Sequence, residues 1–190
     1  MQYSIDDRTG WVHTENLGDD TCATNIPLGF TYNGFGASVT TVSVSSNGVL
    51  FLGNNCSVTW SNATLPSFIS PDPALFFFWD DLQDFGSGEY LEYTTLGTAP
   101  GRVFNLYYRM RFHDPTCGAD PIQVMISIHE TSGLIKAVYS GFSGCANVRG
   151  ASATLGMQTA GGAKAFLVGF NSPVLDDNGG QQFMSFHPPN

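Results

Sequence analysis

The chain has 190 residues, of which 13% are aromatic and only 12% charged, about half the charged fraction of ordinary soluble domains. Seven Lys and Arg against 16 Asp and Glu give a formal net charge of -9, which argues against partners that need clustered cations, nucleic acid and anionic membrane surfaces among them. The aromatic content argues against disorder, and the length suits a single domain, residues 1–190, with a sizeable core.

Residues 1–7 are polar, and no apolar run approaches the ~20 residues of a transmembrane helix. Neither a signal peptide nor a membrane span is visible, so a secreted origin would make this a mature segment with an added start Met. Helical periodicity is almost absent. Short β-branched and aromatic runs alternate instead with Gly, Asn, Pro and Ser clusters.

Residues 39–45, VTTVSVS, alternate almost strictly. Ser46-Asn47-Gly48 then reads as a tight turn, because Asn-Gly supplies the positive φ angles a hairpin needs, and residues 49–53 return as the partner strand. Residues 68–73, with Pro71 and Pro73, read as a loop inside the domain. Residues 73–79 end in Phe76-Phe77-Phe78-Trp79. Four successive aromatics predict a strand covered on both faces, with Phe78 and Trp79 on opposite sides.

Further strands are predicted over 89–94, 102–112, 122–129, 134–139, 151–157, 164–169 and 181–186. In the second of these, Phe104, Leu106, Tyr108, Met110 and Phe112 form an apolar face, opposite Val103, Asn105, Tyr107, Arg109 and Arg111. The expected fold is all-β: a single-domain antiparallel β-sandwich or flattened barrel of about ten to twelve short strands.

Cys22, Cys56, Cys117 and Cys145 lack zinc-type spacing. An even count on loop-like segments points to two disulfides and an oxidising compartment, the alternative being four buried free thiols. Three pairings are open. Cys22–Cys56 and Cys117–Cys145 is preferred, because each pair flanks a predicted hairpin.

The aromatic run breaks into Asp80 and Asp81, with Asp84 and Glu89 close behind. These four carboxylates are candidate calcium ligands, since calcium takes six to eight oxygens, although no EF-hand spacing is present. The plainer reading is that Asp80 and Asp81 accept backbone N–H bonds at the strand end. On that basis no calcium response is expected, and Asp81→Asn is expected to destabilise. Asp80 with Glu89 is also a candidate glycosidase pair, a reading that no further feature supports. A second acidic turn at 176–180 reads as an exposed hairpin loop.

Trp11 and Trp60 lie in polar, loop-like contexts. They are candidate sugar-stacking platforms, against the plainer reading that they cover the ends of the sandwich. Asn62-Ala63-Thr64 is an N-glycosylation sequon. The histidines, His13, His113, His129 and His187, show no His-x-His metal spacing. His129 ends a strand and reads as an exposed polar position. No Gly-x-Ser-x-Gly elbow is present.

Four pieces then occur in order: Pro27-Leu28-Gly29-Phe30-Thr31-Tyr32-Asn33-Gly34, Val42 to Gly48, Phe77-Phe78-Trp79-Asp80-Asp81, and Gly88-Glu89-Tyr90-Leu91-Glu92-Tyr93. Together they resemble the nidogen-like (NIDO) extracellular domain and similar bacterial extracellular β domains, over roughly residues 26–186. Phe76-Phe77 departs from the family's usual Ala-Pro before Phe-Trp. The resemblance implies an extracellular adhesion or matrix context and carries no catalytic residues. The expected function is a secreted, non-catalytic module for adhesion, matrix assembly or surface display, meeting a protein or glycan surface or a copy of itself. A carbohydrate-binding domain is the alternative, and a hydrolase using residues 80–89 a third reading.

Overall fold

A computed structural model describes residues 8–14, 17–114, 117, 120–140, 145–176 and 181–189. Two antiparallel sheets face each other. The first has the order β1 (Val12–Thr14), β7 (Tyr90–Leu96), β8 (Val103–Phe112), β9 (Ile122–His129), β10 (Ile135–Ser140), β13 (Gln182–Phe186), with the short β6 (Leu82–Gln83) also pairing with β8. The second has the order β12 (Ala165–Phe170), β11 (Thr154–Gln158), β5 (Ala74–Trp79), β4 (Val49–Leu52), β3 (Ala37–Ser45), β2 (Cys22–Gly34). 3-10 turns are present at Ala146–Arg149 and Ala160–Gly162.

The main core lies between the sheets. Phe104, Leu106 and Tyr108 of β8 and Ile126 of β9 meet Leu75 and Phe77 of β5 and Val42 of β3. Three tyrosines also bolt one sheet to the other. The Tyr139 hydroxyl of β10 donates to Phe77 O of β5 at 2.6 Å. Tyr108 of β8 donates to Ser46 O. Tyr32 of β2 donates to Gly133 O at 2.8 Å, in the β9–β10 turn. Burial raises the pKa of all three phenols, so they remain donors at neutral pH.

A second, smaller core lies on the outer face of the β2–β12 sheet. Phe76, Trp79, Phe51 and Val49 pack there beneath Leu65 of the long loop that follows β4. The aromatic run is therefore covered on both faces, as expected. Its distribution has a specific cause: β11 pairs Thr154 with Trp79 and Gly156 with Phe76, so β5 carries one extra residue between them. This bulge sends Phe77 and Phe78 into the main core and leaves Phe76 and Trp79 in the outer one.

Both expected disulfides are present, and no free cysteine remains. Cys22–Cys56 ties the start of β2 to the loop over the outer core, and Cys117–Cys145 ties the β8–β9 connection to the 3-10 turn before β11. Loops of 34 and 28 residues are closed. Constraint of the unfolded chain by loops of such length contributes roughly 2–4 kcal/mol each.

Candidate functional site

The acidic turn after β5 is pinned by hydrogen bonds that reach across the fold. Asp80 Oδ1 accepts from Asp81 N at 2.9 Å, and its Oδ2 accepts from Ser152 Oγ at 2.5 Å. Asp84 is buried, accepting from Leu17 N at 2.9 Å and from Gly86 N at 2.6 Å. Glu89 is buried too. Its Oε2 accepts from Phe85 N and Ser87 N, and its Oε1 lies 2.7 Å from Arg111 Nε. Asp80, Asp84 and Glu89 thus satisfy backbone donors of the turn they belong to, in addition to Ser152 and Arg111.

Asp81 behaves differently. Sequence reasoning paired it with Asp80 as a cap, but its carboxylate faces away, toward Asp19 and His113. Ligand-type atoms of these three side chains lie within 4.8 Å of one another. The grouping arises because Asp19 bridges to Gln83 of β6, and because His113, just past β8, donates its backbone N–H to Asp81 O at 3.0 Å. His113 Nδ1 also pairs with Gln83 Oε1. Of the four proposed calcium ligands, only Asp81 belongs to this group. Three side-chain donors fall well short of the six to eight oxygens that calcium takes.

Electrostatics separate the carboxylates further. Burial raises the Asp80 pKa, against the hydrogen bonds from Ser152 and Asp81. Burial also raises that of Asp81. His113 opposes this, while Asp19, Asp20 and Asp114 add to it by repulsion. For Glu89 burial acts in the same upward direction, but the Ser87 N–H and Arg111 outweigh it and hold the carboxyl below its ordinary range. An ionised Glu89 is therefore a stabilising element, whereas ionised Asp80 and Asp81 are held at a cost.

Asn47 organises this corner. It is fully buried, accepting from Leu82 N at 2.9 Å and donating through Nδ2 to Asp20 Oδ1 at 2.7 Å and Val58 O at 3.1 Å. Read as a simple turn residue, it joins the β3–β4 turn to three other segments. Sequence offered one hint: an Asn-Gly turn flanked by Ser45 and Ser46, all of them buried here.

Trp11 is half-buried just before β1, at the edge of one sheet. Trp60 is 54% exposed in the loop that covers the other. Asn62 is held by its amide, which donates to Ser152 O (2.7 Å), Asn171 Oδ1 (2.8 Å) and Thr154 Oγ1 (3.2 Å). The sequon nitrogen is thus a structural donor tying this loop to β11. His129 is half-buried rather than exposed, and burial together with Lys136 lowers its pKa. An open groove of about 410 Å³ beside β3 is lined by Ser38, Thr40, Thr41, Asn54, Asn55 and Asp72, with no aromatic ring. Of the second acidic turn, Asp176 is exposed and residues 177–180 lie outside the described residues.

One feature escaped sequence reasoning. Phe166, Leu167, Val168 and Phe170 of the edge strand β12 are all 40–46% exposed, and Phe183 of β13 is 65% exposed. The strand predicted over 164–169 gave no sign that it would lie at a sheet edge.

No helix among the described residues is long and apolar enough to cross a membrane. No curated protein and no solved structure matches the chain. A family profile described as "NIDO related" matches residues 3–188. With that match spanning nearly its whole length, the chain belongs to the NIDO-related family.

Proposed function

We propose that this protein is a non-catalytic extracellular module serving adhesion, matrix assembly or surface display. The observation that carries this reading is the state of the acidic turn, the strongest catalytic candidate in the sequence. Glu89 is buried against Arg111 and two backbone N–H groups, whereas a glycosidase pair needs both carboxylates open to the scissile bond. Two disulfides suit an oxidising, extracellular setting, and the family resemblance points the same way. The partner is then a protein or glycan surface, or a second copy of the chain.

The test is solid-phase binding of the folded protein to purified extracellular-matrix proteins, beside a hydrolysis screen on fluorogenic glycosides. Saturable binding without turnover is expected. Turnover lost in a folded Glu89→Gln variant would overturn the proposal. A carbohydrate-binding role is favoured by one observation, the exposure of Trp60. A glycan array with wild type and Trp60→Ala separates it, since a stacking platform loses its signal in the variant.

A further inference from the structure

We infer that Asp19, Asp81 and His113 form a binding site for a divalent transition-metal ion of the zinc class, with a fourth coordination position open to water. Asp19 precedes β2, Asp81 follows β5 and His113 follows β8. These segments are far apart in the chain, yet ligand-type atoms of the three side chains lie within 4.8 Å of one another. His113 Nδ1 is 3.5 Å from Asp19 Oδ2. Two ligands at zinc distances of about 2.0–2.1 Å, set at a tetrahedral angle, are about 3.3 Å apart. This pair therefore already has nearly the spacing that a shared ion requires, and Asp81 is within reach of the same point.

The backbone holds these side chains together without an ion. Asp19 bridges to Gln83, Asp84 N donates to Gly18 O at 3.1 Å, and His113 N donates to Asp81 O at 3.0 Å. Gln83 Oε1 meets His113 Nδ1 and keeps that nitrogen on the Asp19 side. An entering ion takes the place of the proton there, since imidazole ligates in its neutral form. The nearby carboxylates are used differently. Asp80, Asp84 and Glu89 accept from backbone amides, and Asp20 accepts from Asn47 Nδ2. The half-buried Asp81 carboxylate accepts no hydrogen bond from a described residue, and Asp19, Asp20 and Asp114 repel it. A bound cation relieves that repulsion.

The donor set selects the ion. Calcium takes six to eight oxygens, more than these residues offer. One imidazole nitrogen with two carboxylate oxygens suits zinc, which at open sites binds three protein ligands and a water. The His113 and Asp19 side chains are 52% and 44% exposed, which leaves room for that water. A bound ion links the segment before β2 to the ends of β5 and β8. This site goes beyond the module reading and does not depend on it.

The experiment is isothermal titration of zinc chloride into the untagged chain after EDTA treatment and dialysis. One equivalent should bind with a dissociation constant below about 100 μM. His113→Ala and Asp81→Asn should each weaken binding at least about tenfold with circular dichroism unchanged, while His13→Ala, on the far side of β7, binds as wild type does. Calcium at the same concentrations should not bind. Absent or weaker zinc binding, binding that survives His113→Ala or is lost in His13→Ala, or equal binding of calcium would overturn the inference. Should a variant fail to fold, diethyl pyrocarbonate labelling of wild type decides. Zinc must protect His113 while the exposed His187 stays reactive, and His113 labelling that zinc leaves unchanged overturns the inference.

Discussion

Phe78 and Trp79 are neighbours in the chain whose rings enter different cores. Phe78 packs between the sheets, edge-on to Phe112 at 6.0 Å. Trp79 lies under the outer loop, against Phe76 at 5.3 Å, with its Nε1 donating to Thr59 O at 2.8 Å. One strand thus anchors both the sandwich and the loop that carries Trp60 and Asn62.

Each half of this pair has its own expected loss. Phe78→Ala should cost about 3–5 kcal/mol in urea unfolding, as for other buried aromatics. Trp79→Ala should cost a similar amount. It should also expose the 54–73 loop to limited proteolysis, which Phe78→Ala should leave less affected. A loss below about 1 kcal/mol for Phe78→Ala would show that the inner core does not depend on the bulge.

Gly48 has φ +74°, and a Cβ there would lie far inside van der Waals contact with the Phe78 carbonyl oxygen. Its own carbonyl accepts from Phe78 N at 3.0 Å. Gly48→Ala should therefore destabilise by more than the roughly 1 kcal/mol that a positive φ alone costs. Unfolding in guanidinium checks this, and a neutral variant would mean that the turn is free to move away from β5.

Much of this fold was legible in period-two patterning. Residues 122–129 coincide with β9, and the apolar face of 102–112 is the face of β8 that enters the core. The 13-residue β2 was not singled out as a strand, although Ile26, Leu28, Phe30 and Tyr32 alternate cleanly and all are buried. Pro27 and Gly29 are residue types that weaken a strand interior. At a sheet edge with register shifts they are tolerated, because no second neighbour needs their backbone groups. The candidate site was less legible. Asp80, Asp81, Asp84 and Glu89 are close in sequence, but their partners Ser152, Leu17, His113 and Arg111 come from elsewhere, and only the fold reveals them.

Asp80 gives a pH-dependent prediction. Burial raises its folded-state pKa, so the ionised form is disfavoured in the folded protein. Such a group lowers stability above its folded pKa, and the deficit is relieved as pH falls toward the unfolded value near 3.9. Asp80→Asn should be at least as stable as wild type at pH 7, with an advantage that shrinks to nothing near pH 4. Urea titrations at both pH values check the sign. A variant markedly weaker at pH 7 would show that the Ser152 hydrogen bond dominates.

Calcium should leave the melting temperature unchanged, because Asp84 and Glu89 are already bonded to backbone donors. Asp81→Asn should be neutral or stabilising, contrary to the expectation from sequence, since it removes a charge from the vicinity of Asp19, Asp20 and Asp114. A rise of several degrees with calcium, reversed by EDTA and absent in Asp81→Asn, would identify a cation site here.

The scaffold role of the acidic turn is tested most directly by the thermal melting of Glu89→Gln. A carboxylate kept for catalysis or ligand binding is often held at a cost, and replacing it tends to stabilise a protein. A carboxylate that satisfies buried donors does the opposite, since its removal strands Arg111 and the amides of Phe85 and Ser87. Breaking one side of such a pair costs roughly 3 kcal/mol. A fall in melting temperature at pH 7, narrowing in acid as the wild-type carboxyl protonates, is the predicted result. A Glu89→Gln protein as stable as wild type, or more so, would contradict the account and mark residues 80–89 as a functional site.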